Sequence, residues 1–572
     1  MNGGRVEYNT FDVDGSDVLN AGINGSSSTL IVFPSLDAIS ELKVLTSNYG
    51  AMYGRSASGT VLVATKSGTS AFHGNAYEFI RNEIWNARNF FDQTHGAPLC
   101  RRNDFGGTIG GPFYIPGHYN TNQDKTFFFF SEEIRRERTP QDFNQGVPSI
   151  QERSGNFSDV CPFAEPGITE PGQQVLFKRT AFPDCPAMGP APDIYGGAAS
   201  GYFETFPGNQ VPIDPTAATL LGTGNIPAPN NTVGCNSSIN SCYDAVVSPP
   251  TNWREELFRV DQNVNSNIRA MFRYIHDSWN TVNTTPIWGF VQNSFPTVEN
   301  QFVGPGISIV AAVSQVVSPS LVNNVTLSYT SDHITLTDIN GPGGQWQRPP
   351  DLNLGYLFNN GFGAKLPGIV ISGTNAAYGG FGFAVDPSFE PWQHSNPTTS
   401  LRDDATRVAG HHTVQFGVLV VAGERNEIDN ASAANTGDVQ GLLTFGNVNS
   451  LNGTGNAFAD FLKGSIRTFQ QDSAQYKYYS RYQTAEPYVQ DDWHFSPRLT
   501  LNLRLRLGIF GRWHPKYNDI YNFVPAAFNP TTALAVTPQT AAGVLAGSLE
   551  DPNTHQPIPL DLSNLDPGFI TD

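Results

Sequence analysis

Between Thr500 and Ile509 the chain alternates. Leu501, Leu503, Leu505, Leu507 and Ile509 fall on one face; Asn502, Arg504, Arg506 and Gly508 fall on the other. A period of two predicts a β-strand with one apolar and one polar side. The same alternation marks 324–329 (Val325, Leu327, Tyr329) and 413–420 (Val414, Phe416, Val418, Val420). It is weaker at 75–80, 105–113, 126–135, 256–263, 268–278, 307–317, 401–410 and 483–495. About eleven strands are therefore predicted from Phe72 onward. Ahead of them, Ile39–Gly68 is glycine-punctuated and holds a short strand pattern at Thr60–Ala64 before Ser67-Gly68-Thr69 breaks the chain.

The connections between these strands alternate in length. Long ones are predicted near 82–103, 136–252, 280–304, 338–397 and 426–481, and short ones near 114–124, 263–267, 318–321, 410–412 and 496–499. Outer-membrane barrels put short turns at the periplasmic end and long loops outside, whereas a soluble sandwich has no reason to. Two short turns share a motif, Ser318-Pro319-Ser320-Leu321 and Ser496-Pro497-Arg498-Leu499. Proline pre-sets a turn without harming the neighbouring ladder. About eleven strands are half of a plugged barrel of about 22. The segments 140–250 and 510–572 show little periodicity and read as loop, the first as an extracellular loop over a barrel mouth.

Composition fits this picture. Of 572 residues only 15% are charged, with 56 Gly and 41 Pro, a usage of strands and loops. No run of 18 apolar residues occurs, so no transmembrane helix is expected, but transmembrane strands show no such run either. The net charge of −18 argues against nucleic acid as a partner. The pair Arg135-Arg136 reads as a solvated rim. The start, MNGGRVEYNTFDVDG, is polar and carries no signal peptide, which predicts a fragment or a misplaced initiator methionine.

Cysteines stand at 100, 161, 185, 235 and 242, without C-x-x-C spacing or a histidine cluster, so zinc is not expected. Pairing Cys161 with Cys185 and Cys235 with Cys242 would suit an oxidising compartment; free thiols are the other reading.

Catalytic patterns are weak. Gly54-Arg55-Ser56-Ala57-Ser58 lacks the last glycine of a nucleophile elbow, and a plain turn is expected. Asp12-Val13-Asp14-Gly15-Ser16-Asp17 begins like a calcium loop, but its glycine stands at the fourth position and no glutamate follows at the twelfth. A surface turn between Phe11 and Val18 is expected there. Adjacent His411-His412 would point to opposite faces of a strand. No phosphate or dinucleotide fingerprint is present. The chain is therefore not read as an enzyme, and no cofactor or metal is expected.

Gly50, Gly54 and Gly59, interleaved with Tyr49 and Tyr53, permit tight turns and close approach of chain to chain. An ordinary surface loop before a strand is the plainer reading. Arg55 and Lys66 are expected to pair with acidic residues of a barrel lumen. The segment resembles the end of the plug domain of TonB-dependent receptors. The match runs through Glu41-Leu42-Lys43-Val44-Leu45 and Tyr49-Gly50-x-x-Tyr53-Gly54-Arg55-Ser56-Ala57-x-Gly59 to Val61-Leu62-Val63-Ala64-Thr65-Lys66-Ser67-Gly68. Upstream, Phe11-Asp12-Val13-Asp14-Gly15 and Pro34-Ser35-Leu36-Asp37-Ala38-Ile39 also match. Arg101-Arg102-Asn103-Asp104-Phe105-Gly106-Gly107, Gly110-Gly111-Pro112 and Lys125-Thr126-Phe127-Phe128-Phe129 resemble the Oar-like branch. So do Ser318-Pro319 with Val322-Asn323, Gly410-His411-His412-Thr413, and Tyr488-Val489-Gln490-Asp491-Asp492-Trp493 before Leu499-Thr500-Leu501. At Leu505-Arg506-Leu507 the usual Gly-Leu-Arg-Tyr ending is altered.

The resemblance implies a mostly β chain. Residues 1–70 would be the C-terminal portion of a plug. Residues 71–572 would be about half of a large antiparallel transmembrane barrel with long extracellular loops. It implies a transporter in the cell outer membrane, with membrane lipid, an extracellular ligand and TonB as partners, the TonB-contacting segment lying ahead of Met1. An adhesion or envelope-structural barrel is the alternative. Half a barrel would leave two open edges, and 1–572 alone is expected to aggregate.

Overall fold

The computed structural model describes residues 9–517, apart from 21–28, 47–49, 57, 88–98, 162–175, 179–186, 191–201, 285–293, 340–347, 349–351, 353–364, 373–375, 387–391, 430–439, 447–453 and 472–475, together with a few short strand pieces beyond 517.

Four strands near the start form a small sheet. They are β1 (Asn9–Val13), β2 (Ser16–Asp17), β3 (Ile39–Leu45) and β4 (Gly59–Thr65), in the order β2-β1-β4-β3. The pairing of β1 with β4 is parallel and that of β3 with β4 antiparallel. The β1–β2 turn needs left-handed backbone at Asp14 (φ 50°) and Gly15 (φ 90°), which glycine adopts at little cost.

The rest of the chain is dominated by one antiparallel wall. Its long strands are β5 (His73–Arg81), β6 (Arg101–Pro112), β7 (Thr126–Arg138), β8 (Pro250–Asn263), β9 (Ile268–Asn283), β10 (Gly306–Ser318), β11 (Leu321–Asp332), β12 (Thr398–Ala409), β13 (His412–Asp429), β14 (Tyr476–Ser496) and β15 (Leu499–Arg506). Each pairs with its neighbour in sequence, from β5 to β15. Every segment expected to be a wall strand is one. Five shorter pieces, at 299–303, 334–339, 392–395, 509–510 and 514–515, bring the sheet to sixteen strands. The two Ser-Pro turns are the same device. Each is a two-residue hairpin with a register shift just before it, and Ser318 and Ser496 Oγ accept the N–H groups of Ser320 and Arg498.

Alternation sets the two faces. On the outer face an exposed apolar rung crosses five strands: Phe272, Ala311, Leu327, Leu401 and Val420 are successive cross-strand partners. Exposed Phe113 and Phe495 sit at the short-turn end, and Trp85 and Trp513 at the long-loop end. An apolar band flanked by aromatic girdles is what a lipid-facing barrel surface requires. Among the described residues no helix is long and apolar enough to cross a membrane.

The long connections are not loose. Segments 139–249, 284–305, 333–397 and 430–475 share one hydrophobic core that includes Phe157, Leu220, Phe295, Ile371, Tyr378, Phe383, Phe445, Phe458 and Phe461. A small sheet of 368–372, 382–385, 442–445 and 468–470 supports it. Two helices join it: α1 (Pro215–Gly222) packs on α2 (Ala457–Lys463), and α2 packs on the sheet. Asn456 caps the α2 N-terminus and Gly464, at φ 75°, ends it, as helix termini demand. The described parts of 140–250, expected as an extracellular loop over a barrel mouth, contribute to this folded cap. Its apolar residues come from four distant segments, and no one segment shows a period.

Cys235 and Cys242 are joined by a disulfide in this cap. Cys161 is also disulfide-bonded, while Cys185, its expected partner, lies outside the described residues. Cys100 is a free thiol.

Candidate functional site

The N-terminal sheet lies against the inner face of the wall. Ser35 Oγ is 3.0 Å from Tyr77 Oη on β5, while Arg506 on β15 donates to the Ala51 carbonyl at 2.8 Å. Laid flat, eleven strands would span roughly 48 Å. One small unit touching both ends means that the wall curls around it.

The inner face is layered. On β8 it reads Trp253, Glu255, Leu257, Arg259, and on β9 Arg273, Ile275, Asp277, Trp279. Register places Trp253 opposite Trp279, Glu255 opposite Asp277, Leu257 opposite Ile275 and Arg259 opposite Arg273. The arginine layer lies toward the short turns and the acidic layer toward the long loops. Like charges directly opposite one another destabilise a sheet. These pairs are tolerable because the N-terminal unit answers each layer.

The β1–β2 turn answers the arginines. Asp14 lies 3.5 Å from Arg259 and 3.6 Å from Arg273, and Asp12 lies 3.6 Å from Arg402 on β12. Arg273 is fully buried and also donates to Ser308 Oγ at 2.9 Å. Ser16 Oγ meets Thr330 Oγ1 of β11 at 2.9 Å. Within the unit Asp14 accepts from Thr65 N and Oγ1 at 2.9 and 2.7 Å. The expected surface turn is therefore a lumen contact. Carboxylates leave water here because three wall arginines replace the solvent.

The acidic layer extends sideways along one rung. Tyr77, Gly106, Glu133, Glu255, Asp277, Gly306 and Asp332 are successive partners across β5 to β11. Asn20 and segment 29–35 meet this rung with neutral donors. Phe33 N–H donates to Asp277 at 2.5 Å, and the Asn20 amide donates to Asp332. Tyr77 donates to Glu133 at 2.8 Å. His394 Nε2 and the Asn396 N–H also meet Asp332, at 2.6 and 2.9 Å. At Gly306 the two chains nearly touch: an added Cβ would stand 1.9 Å from the Ile31 carbonyl oxygen.

The glycine–tyrosine motif is gripped by the far side of the wall. Gln490 Oε1 accepts from Ala51 N at 2.9 Å, and Arg402 donates to the Met52 carbonyl at 2.9 Å. A Cβ on Gly50 would lie 2.7 Å from Gln490 Oε1, and one on Gly54 would lie 2.3 Å from the Arg506 guanidinium. Tyr53 lines a small cavity with Gly54, Arg55 and Arg402. Gly59 opens β4. Tyr49 and Ala57 fall outside the described residues.

Two expected pairings change. Arg55 Nη1 bonds Asp17 of the unit itself at 2.7 Å, and Arg55 Nη2 reaches the wall at Tyr482 Oη, 3.3 Å away. Lys66 donates its backbone N–H to the Ala38 carbonyl, and its side chain makes no ion pair among the described residues. The first follows from local geometry: Arg55 takes left-handed backbone (φ 58°) and turns back toward Asp17 on β2. The arginine and acidic layers were not foreseen. Their signal was present as the inverted pattern Trp-x-Glu-x-Leu-x-Arg and Arg-x-Ile-x-Asp-x-Trp at 253–259 and 273–279.

Residues 64–567 match the model of the outer membrane beta barrel domain family. The chain belongs to that family. Its place is the outer membrane, and its wall is a barrel wall. Over 137 residues the chain is 27% identical to the TonB-dependent transporter Oar of Myxococcus xanthus, covering 23% of this chain and 12% of that protein. Among solved structures it resembles the outer membrane transporter YddB of Escherichia coli, with 8% identity and a TM-score of 0.46, over 90% of this chain and 51% of that one. It also resembles the siderophore receptor PirA of Acinetobacter baumannii, with 12% identity and a TM-score of 0.42, over 91% and 53% of the two chains. The chain spans about half the length of these solved structures.

Proposed function

We propose that this chain works as a TonB-dependent outer-membrane transporter that takes up a scarce nutrient. Residues 1–70 act as the plug and 71–572 form wall and cap. The observation that carries the reading is the seating of the N-terminal unit. It is held by the wall through neutral donors on an acidic rung and through ion pairs as long as 3.5 to 3.6 Å. Such contacts separate without breaking a covalent bond, although displacement also parts the apolar cluster of Val13, Val18, Ile31 and Val32 with Phe129, Leu257 and Ile275. Ligand arriving under the cap would favour a state in which the unit is displaced, by binding that state more tightly. Tyr53, Gly54 and Arg55 are the motif residues best placed to register displacement, because they meet β12, β14 and β15 together.

The test is permeability and energy dependence in cells. Deleting 9–66 from the chain in its native outer membrane should admit a large antibiotic such as vancomycin, and nutrient-limited growth through the intact protein should fail with an uncoupler. Unchanged permeability together with uncoupler-insensitive growth would favour the adhesion or envelope role instead.

A further inference from the structure

The cap carries an open strand edge. Gln141–Gly146 pairs on one side with Cys242–Val247, in a register that sets Gln145 opposite Tyr243 and Phe143 opposite Ala245. The Val147 N–H donates to the Ser241 carbonyl at 3.0 Å. That bond fixes the phase of the ladder: odd-numbered residues bond the partner strand, and even-numbered ones point outward. The N–H and C=O groups of Asp142 and Asn144 therefore face away from Cys242–Val247, and among the described residues no backbone hydrogen bond reaches them. Beside this edge lies a groove of about 650 Å³. Five consecutive residues, Gln141 to Gln145, form one bank, and Val370 and Phe381 form the apolar other, above Ile371 and Phe383, which are buried in the cap core. Phe381 is 90% exposed.

We propose that this groove binds an extended peptide, which adds as a strand to the Gln141–Gln145 edge. The chemistry selects the occupant. A row of unpaired backbone donors and acceptors at strand spacing is matched by another extended backbone. The neighbouring aliphatic and aromatic bank takes apolar side chains, which a strand presents on one face. The exposed carboxylate of Asp142 favours a basic residue at the peptide's end. The assignment goes beyond transport and does not require that the peptide be taken up.

The experiment uses the full chain in detergent micelles and a fluorescein-labelled pentapeptide, Lys-Ile-Thr-Ile-Lys-amide, read by anisotropy. Saturable binding is expected. Methylating the two amide nitrogens that face the edge should weaken it at least about tenfold, from the loss of two hydrogen bonds. Asn144→Pro removes an outward donor and leaves the inner ladder whole, since proline is tolerated where an edge N–H faces solvent; it should weaken binding likewise. Intact disulfide and unchanged proteolytic stability would show that the cap remains folded. Equal binding of the methylated peptide, or of the proline variant, would overturn the proposal. So would occupation of this edge by a second copy of the chain, seen as a dimer that Asn144→Pro dissociates, or the absence of saturable binding.

Discussion

Gly306→Ala tests whether the wall holds the N-terminal unit by close backbone approach. Gly306 lies in β10 with no left-handed backbone angle, so alanine brings no conformational strain of its own. The whole effect is steric. The new methyl would stand 1.9 Å from the Ile31 carbonyl oxygen, where real Cβ atoms stay beyond 3.0 Å. The obstacle is backbone, which cannot rotate aside, so segment 31–33 must move off the wall by more than an ångström. The Phe33 N–H bond to Asp277 then goes; a hydrogen bond to a charged group contributes about 1.5–3 kcal/mol. Ile31 and Val32, buried with Leu257 and Ile275, lose part of their packing, where full burial of each contributes about 1.5–3 kcal/mol. A destabilisation of about 3 kcal/mol raises the population of the displaced unit about 100-fold. Amide hydrogen exchange of β1–β4 against β8–β9 reads this directly. The N-terminal strands should exchange about 100-fold faster while the wall stays protected. Gly222→Ala, where an added Cβ meets nothing within 4 Å, is the control. Undiminished protection of β1–β4 in Gly306→Ala would refute the close-approach reasoning.

Phe458 is fully buried against Phe157, Tyr378 and Phe461. Phe458→Ala should cost the cap about 3–5 kcal/mol, seen as rapid proteolysis in 139–249 with a barrel wall that stays resistant. Tyr378 is buried and donates to Glu152 at 2.9 Å; burial, and then the Glu152 charge, hold its hydroxyl proton well above the usual tyrosine range. A raised acid keeps its full contribution below the unfolded value of about 10 and loses it as pH rises beyond. Cap protection should therefore be level up to about pH 10 and fall above it, and Tyr378→Phe should flatten that fall. Reducing or removing Cys235–Cys242, seven residues apart, should destabilise the cap by about 2 kcal/mol, measured as faster exchange within 227–247 and no change in β5–β15.

The strands were legible because each wall strand has lipid on one side and the lumen on the other. That division writes a period of two into the chain wherever it crosses the membrane. Loop lengths were legible for the same local reason, and so were the paired Ser-Pro turns, which fold alike at 318–321 and 496–499. The cap was not legible. Phe157, Phe295, Tyr378 and Phe458 come from four separate connections, and a core assembled from single contributions leaves no periodic trace in any of them.

What sequence alone determined was the set of strands, their facing and their order in the wall, since neighbours in sequence became neighbours in space. Tertiary structure decided which residues share a height. Glu133, Glu255, Asp277 and Asp332 form one acidic rung, and Arg259 and Arg273 one basic layer, because inter-strand register slides whole strands past one another. Asp12 and Asp14 looked like a solvated turn until that register set arginines opposite them. A charge pattern along one strand is local information; a layer across seven strands exists only once every pairing is made.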